Sequence, residues 1–498
     1  MPGAGADDDG PRHWGRLLLN LQSIFYIVGM LWCGLAGLML VPILIDLVTI
    51  DGFAVGFLES MLVVLALGGL LVIASRPRQG ISLRLRDAFV LTSLAWASLP
   101  AAAALPFLFY GLDYSDAYFE AMSGLTTTGS TVIAGLDTAD RGLLFWRSLL
   151  QWMGGAGIIL MAIMLLPFLR VGGMQLFRTE SSDQFEKAVP RAVQFGAWIF
   201  SVYAGLTVIA ALTYKILGMS DFDAICHAMT TLSTGGYSTH DASFGYFEEP
   251  ALHWAASLFM IAGALPFAAY VHALRGRPDA FYKDPQVRGF LAVVFGVCAL
   301  FTLWLWLTEG GDPTVAARLV VFNVVSIVTT TGYATTDYQL WGSFAVTAFL
   351  FLMFMGGCAG STSGAVKTYR IQILAITVVG QIRRLSSVHR VHVPQYGGQR
   401  LPADVPVSVL AFLAAYVVVI AFGSLLLSMT GLDMVTSVTA TITALTNVGP
   451  GLGSIIGPAG NFVPLSDTAK WLLSAAMMLG RLELFTVLVL LDPEFWRN

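Results

Sequence analysis

Charge is what this sequence has least of: Lys, Arg, Asp and Glu together fill 12% of its 498 positions, against 56% hydrophobic residues. With a mean hydropathy of +0.74 it falls outside the range of soluble globular domains, so the expected solvent is a bilayer. Cysteine is scarce too. Cys33, Cys226, Cys298 and Cys358 are scattered through apolar segments without C-x-x-C spacing, which argues against a disulfide framework or a thiolate zinc site. Long polar stretches are missing, and with them any soluble domain that could hold an organic cofactor. The run Gly449-Pro450-Gly451-Leu452-Gly453 looks like a dinucleotide-binding turn, but no strand precedes it and no βαβ helix follows. An enzyme is therefore not expected. His389 and His392, three residues apart in a basic loop, read as solvated side chains rather than metal ligands. The net charge of −4 says little about partners, and no nucleic acid is expected among them.

What the chain has is apolar length. Ten stretches are long enough to cross about 30 Å of hydrocarbon as helices. They run over roughly 21–48, 53–74, 88–110, 143–168, 195–218, 251–274, 289–307, 340–379, 406–429 and 468–491. The first is too long for a secretory signal and no small-residue cleavage site follows it cleanly. Basic residues set the orientation. With an internal N-terminus, Arg76, Arg78, Arg84, Arg86, Arg170, Arg178, Lys187, Arg191, Arg275, Arg277, Lys283, Arg288, Arg370, Arg383, Arg384, Arg390 and Arg400 all fall on the cytoplasmic side. The outer side keeps Arg141, Arg147, Lys215, Arg318 and Lys470, so both termini are expected in the cytoplasm.

Internal repetition carries most of the functional information. Between successive pairs of long helices the same pattern recurs: an apolar run, three mostly small polar residues and a glycine. The copies are Leu125-Thr126-Thr127-Thr128-Gly129, Leu232-Ser233-Thr234-Gly235-Gly236, Val328-Thr329-Thr330-Thr331-Gly332 and Leu445-Thr446-Asn447-Val448-Gly449. Each preceding apolar run is only about 11 to 15 residues, too short to span, so it must enter the membrane and stop. Ser115 or Asp116, Ser220 or Asp221, Asp312 and Asp433 are the expected helix starts. Non-helical backbone at that depth is tolerated only in protein or beside water, so four such ends should converge on one axis. There the carbonyls of Thr127, Thr128, Thr234, Gly235, Thr330, Thr331, Asn447 and Val448, with Gly129, Gly236, Gly332 and Gly449, could replace a cation's hydration shell. The negative ends of four short helices would favour the same charge.

The third inner stretch, 340–379, is about twice the length a straight span needs. Its middle, Gly356 to Gly364, contains Gly357, Gly360, Ser361, Thr362 and Ser363, and a break is expected there, beneath the ring. Lys367 follows that loop and Arg481 lies in the last apolar helix, where an arginine is costly unless it faces a cavity or a partner. Binding loop carbonyls or repelling cations at a closed gate is the reading adopted for Arg481. Pairing with Glu483 or snorkelling to the interface is the alternative. Glu120 and His227, in short helices, are read as packing or capping groups rather than titrating ones.

These residues resemble the TrkH/KtrB/HKT superfamily of K⁺ transporters from about residue 85 to the end. The stretches Gly235 to Asp241 and Gly356 to Gly364 are similar to the superfamily's as well, and the hairpin of residues 21–74 looks like the extra helix pair of the TrkH branch. The resemblance implies K⁺ as the transported ion and a homodimer in a bacterial inner membrane, surrounded by lipid. It also implies gating by a cytosolic nucleotide-binding ring of the TrkA type. Glycine at all four filter positions goes with K⁺ preference there, and serine at the first with Na⁺ in part of the plant branch. The fourth segment is the least channel-like, and each lacks the full Thr-Val-Gly-Tyr-Gly of tetrameric channels, so a shorter filter is expected.

The expected fold is thus an all-α polytopic membrane protein in which four pseudo-symmetric helix/pore-helix/helix repeats surround a central pore. The division is 1–80 for the N-terminal tail and extra hairpin, 81–175, 176–282 and 283–395 for repeats one to three, and 396–498 for repeat four. The competing function is a Na⁺-permeable or H⁺/Na⁺-coupled symporter working by alternating access, but four same-way repeats favour a pore over two inverted halves.

Overall fold

The structure is a computed structural model that describes residues 19–49, 53–78, 80–81, 83–164, 185–386 and 394–497. Each of the ten apolar stretches contains helix among its described residues. Among the described residues seven helices are long and apolar enough to cross a membrane, or nine if two bent pairs each count as one span. The stretch 340–379 is split into Ser343–Leu352 and Thr368–Ser386.

Leu21–Leu38 continues into Leu40–Thr49 and folds back as Ala54–Ala74. The two arms nearly touch where a Cβ on Gly29 would lie 2.9 Å from the Gly68 carbonyl oxygen, a close approach that small residues permit when lipid supplies no hydrophobic drive between helices. Asp46 pins this hairpin to the first repeat by accepting from the Gly142 amide at 2.7 Å, one of the free donors at the start of helix Arg141–Met164.

Each repeat then supplies an outer helix, a short pore helix and an inner helix. The outer helices are Leu85–Ala103, Phe185–Ile216, Pro285–Glu309 and Asp404–Ser428. The pore helices are Tyr114–Leu125, Asp221–Leu232, Pro313–Val328 and Met434–Thr446, of 12, 12, 16 and 13 residues. At 1.5 Å per residue these reach about 18 to 24 Å, short of the hydrocarbon thickness. Ser220, Asp312 and Asp433 cap the last three by accepting from Asp223, Thr314 and Thr436 amides. The first starts earlier than Ser115 or Asp116 indicate: its N-cap is Asp113, whose side chain makes no capping bond. Lys470 and Arg147 hold that helix instead, through ion pairs to Asp116 and Glu120.

Among the described residues three of the four inner helices are broken, where the sequence reading expects a break in only one. Pro250–Ala264 turns by 93° into Phe267–Leu274 at Pro266, which lacks an amide hydrogen and forces Leu265 into extended backbone. Asp467–Arg481 turns by 105° at Glu483 and Leu484, both at positive φ. The lipid-facing surface is apolar, with Val48, Leu258, Phe295, Leu307, Val417 and Phe422 exposed, while Thr and Ser side chains crowd the interior.

Candidate functional site: a ring of four re-entrant segments

The four pore helices end in the same backbone figure. In each, the amide of the third polar residue turns back to a helix carbonyl five residues upstream: Thr128 to Ser123, Gly235 to Thr230, Thr331 to Ser326 and Val448 to Thr443, at 2.8, 2.9, 2.8 and 3.2 Å. Thr127, Thr234, Thr330 and Asn447 then take left-handed angles, with φ of 51°, 50°, 61° and 53°. Such angles cost about 1–2 kcal/mol for a residue with a Cβ, so four of them at equivalent positions mark backbone held against its preference. With the amides spent on the helix side, the carbonyls are released. No described donor reaches the carbonyl oxygens of Thr127, Thr128, Thr234, Thr330, Thr331, Asn447 or Val448.

The glycines close the ring. Gly129, Gly236, Gly332 and Gly449 have φ of 88°, 76°, 85° and 110°. A Cβ on Gly129 would collide with the Gly235 carbonyl oxygen, one on Gly236 with that of Thr331, and one on Gly332 with that of Val448. Gly449 completes the circuit: its Cβ would lie 2.8 Å from the Thr128 carbonyl oxygen. Each segment abuts the next and the fourth abuts the first. The residue after each glycine leans the other way. Ser130 donates to the Gly449 carbonyl, the Tyr237 hydroxyl to the carbonyls of Glu120 and Ser130, and the Tyr333 hydroxyl contacts Thr230 and His227 of the second pore helix.

One predicted oxygen differs from the rest. The Gly235 carbonyl accepts from Gln151 Nε2 at 2.7 Å, so it is not free as its counterparts are. The sequence singles out neither Gln151 nor Tyr237 and Tyr333, because nothing but three-dimensional proximity ties them to the ring.

Below the ring lies the broken stretch of the third repeat. Residues 353–367 form a buried loop that borrows its hydrogen bonds from helix ends. Cys358 and Thr362 amides donate to the carbonyls of Ala264 and Gly263, the Ala365 amide to Thr446, and Thr362 Oγ1 to Leu232. Gly356 and Gly360 carbonyls accept from Thr368 Oγ1 and the Phe267 amide, and the Gly357 amide donates to Ser363 Oγ. Ser361 Oγ closes on Cys358. Contact with the ring is direct: Thr330 Oγ1 accepts from the Gly364 amide at 2.7 Å and meets Ser363 Oγ at 3.2 Å. Two cations hold the loop from the side. Lys367 Nζ donates to the Ser363 carbonyl, and Arg481 Nη1 donates to Thr362 O at 2.9 Å. Arg481 is 3% exposed, and its Nε and Nη2 have no hydrogen-bond partner among the described residues. Glu483 is not its mate. That carboxylate pairs at 2.5 Å with Arg370, which stacks over Phe412. Arg370 is therefore a buried structural cation and not the cytoplasmic-loop charge that sequence position suggests.

Above the ring, Glu120 and Arg147 form a buried pair at 2.8 Å. Glu120 also accepts from the Val132 amide, and Arg147 donates to Ser238 O and Thr131 Oγ1, which ties the exits of the first and second segments together. His227 packs as expected, bridging the Asp223 carbonyl and Ser238. In the outer loops His240 lies against Asp137 and Asp223. Burial disfavours its charged form, but hydrogen bonds to those two carboxylates outweigh this and raise its pKa above the ordinary value. Arg147→Ala strands Glu120 and should cost about 3–5 kcal/mol of stability, whereas Glu120→Gln with Arg147→Met should cost less. Thermal unfolding in detergent checks the order of the two losses.

The family model described as TrkH, cation transport protein, matches residues 55–497. The Trk system potassium uptake protein TrkI of Halomonas elongata is 45% identical over 493 residues, covering 98% of each chain. The Trk system potassium uptake protein TrkH of Escherichia coli K12 is 37% identical over 487 residues, covering 96% of this chain and 100% of that one. The crystal structure of the potassium transporter TrkH from Vibrio parahaemolyticus superposes with a TM-score of 0.89 at 37% identity, again over 96% and 100% of the two chains.

Proposed function

The chain belongs to the TrkH family of cation transport proteins, and from that premise we propose that it takes up K⁺ through the ring of carbonyls at Thr127, Thr128, Thr234, Thr330, Thr331, Asn447 and Val448. The observation that carries this reading is the closed circuit in which each filter glycine abuts a carbonyl of the next repeat. A dehydrated cation on that axis meets oxygens from all four repeats and the negative ends of four pore helices.

The loop at Gly356 to Gly364, with Lys367 and Arg481, acts as the gate. It sits under the ring, and its bonds run to groups in three different repeats, so a small shift of one inner helix changes several of them together. Glu120 and Glu483 are each paired with an arginine. The proposed setting is a bacterial inner membrane with both termini cytoplasmic. A second copy of this chain is the proposed membrane partner, and a cytosolic nucleotide-binding ring of the TrkA type docks on the inner face. Arg383 and Arg384 are exposed for that contact, while Arg390, with His389 and His392, lies outside the described residues.

Purified protein in liposomes tests the whole reading. Rb⁺ should replace K⁺, Na⁺ should pass more slowly, flux should not require a proton or Na⁺ gradient, and nucleotides should act only once the cytosolic partner is added. K⁺ movement that stops without a Na⁺ or H⁺ gradient would establish the coupled alternative instead.

A further inference from the structure

The four inner helices share a spacing that exposes one exception. Reading back from the glycine that crosses the pore-helix end, the sequence gives Ser148-x-x-Gln151-x-x-Gly154, Ser257-x-x-Met260-x-x-Gly263, Leu350-x-x-Met353-x-x-Gly356 and Ser474-x-x-Met477-x-x-Gly480. In repeats one, two and four the glycine packs against the equivalent carbonyl, that of Leu125, Leu232 or Leu445, so the alignment is spatial as well as textual. Three repeats place a fully buried methionine behind the ring, and the first places Gln151, also fully buried.

A second exception sits in front of it. The residue before the filter glycine is Thr128, Thr331 or Val448 in three segments and Gly235 in the second. Gly235 is not at positive φ, so its backbone does not demand glycine. What excludes a side chain is Gln151, whose amide occupies the place a Cβ on Gly235 would take. Polar side chain and missing side chain are a matched exchange across the repeat boundary.

The bonds of that amide are unambiguous. Nε2 donates to the Gly235 carbonyl at 2.7 Å and Oε1 accepts from the Tyr237 amide at 3.0 Å. One partner can only accept and the other can only donate, so the orientation of the amide group is fixed. Arg147, one turn earlier on the same helix, donates to Ser238 O and lies 4.1 Å from the Tyr237 ring centroid. The first repeat thus carries a rack that grips the second filter segment from Gly235 to Ser238.

We propose that Gln151 is a positioning residue for ion selection, which fixes the Gly235 carbonyl and makes the ion site at the level of Thr128, Gly235, Thr331 and Val448 unequal on its four sides. This rests on the reading of the ring as the K⁺ filter. A carbonyl that already accepts a hydrogen bond has less charge to offer a cation and less freedom to follow a smaller one. Na⁺ needs the ring to contract, and a braced segment resists contraction.

Full-length protein in liposomes is compared as Gln151→Met, which restores the residue of the other three repeats, and as Gln151→Glu, which keeps the acceptor for Tyr237 and removes the donor to Gly235. Both should lower the K⁺/Na⁺ flux ratio by roughly three- to tenfold and shift the half-saturating K⁺ concentration. A merely structural role would instead lower yield or maximal flux with the ratio unchanged. Should Gln151→Met fail to give monodisperse protein, the nearly isosteric Gln151→Glu decides alone. Gly332→Ala, measured alongside, separates the two levels of the argument. If that variant loses selectivity while both Gln151 variants keep the wild-type ratio, the inference about Gln151 is overturned and the filter stands. If all three keep it, the filter assignment itself is wrong.

Discussion

Gly332→Ala is expected to reduce K⁺/Na⁺ discrimination by about tenfold or more, because two penalties fall on the same ring. Holding a residue with a Cβ at a left-handed φ, here 85°, costs about 1–2 kcal/mol. The added methyl also collides with the Val448 carbonyl oxygen, which must move, and that oxygen is one of the proposed ligands. A difference of about 1.4 kcal/mol between two ions is already tenfold. Gly129→Ser should act in the same direction through the Gly235 carbonyl and admit more Na⁺. Gly449 is roomier, its Cβ 2.8 Å from the nearest carbonyl oxygen, so substitution there should have the mildest effect of the four. Bi-ionic flux ratios from reconstituted protein are the measurement. Wild-type ratios in both Gly129→Ser and Gly332→Ala would refute the assignment.

Arg481→Ala should raise K⁺ flux in the resting protein while leaving ion preference intact. The guanidinium donates to Thr362 O, and a hydrogen bond from a charged donor is worth about 1.5–3 kcal/mol, enough to move a closed-to-open ratio by roughly ten- to a hundredfold. Under the gate reading, the single positive charge of this buried guanidinium would also oppose a cation leaving the ring downward. Arg481→Lys keeps the charge but loses the fork, and should fall between wild type and alanine. Shortening Gly357 to Gly364 should act like the alanine variant, since it removes the acceptor as well as the obstruction. Flux at the wild-type level in correctly inserted Arg481→Ala protein would make the loop a passive packing element and place the gate elsewhere.

The spans and the ring were legible because each depends on local composition: apolar length for the helices, and three small polar residues plus glycine at four equivalent places. The caps of the second, third and fourth pore helices were legible for the same reason. That of the first was not, since its anchor is tertiary, through Lys470 and Arg147. Pro266 is a local signal for the break in the second inner helix that an uninterrupted apolar run conceals. The break in the fourth has no comparable mark. Glu483, one of the two residues at positive φ in that break, pairs with Arg370, and a charge count that assigns every arginine near a helix end to the cytoplasm misses that pair. Gln151 shows the limit most clearly. Its place as an exception appears only when the inner stretches are aligned on glycines, spatially equivalent in repeats one, two and four, and when Gly235 is seen to leave the room it fills.

The central claim is that one cation path is lined by carbonyls from all four repeats. The most direct measurement is anomalous diffraction from crystals of the protein grown in Rb⁺. The claim predicts Rb⁺ density on the axis enclosed by Thr127 to Gly129, Thr234 to Gly236, Thr330 to Gly332 and Asn447 to Gly449, retained when Na⁺ is present in excess. Density confined to any other part of the protein, with that axis empty, would contradict it.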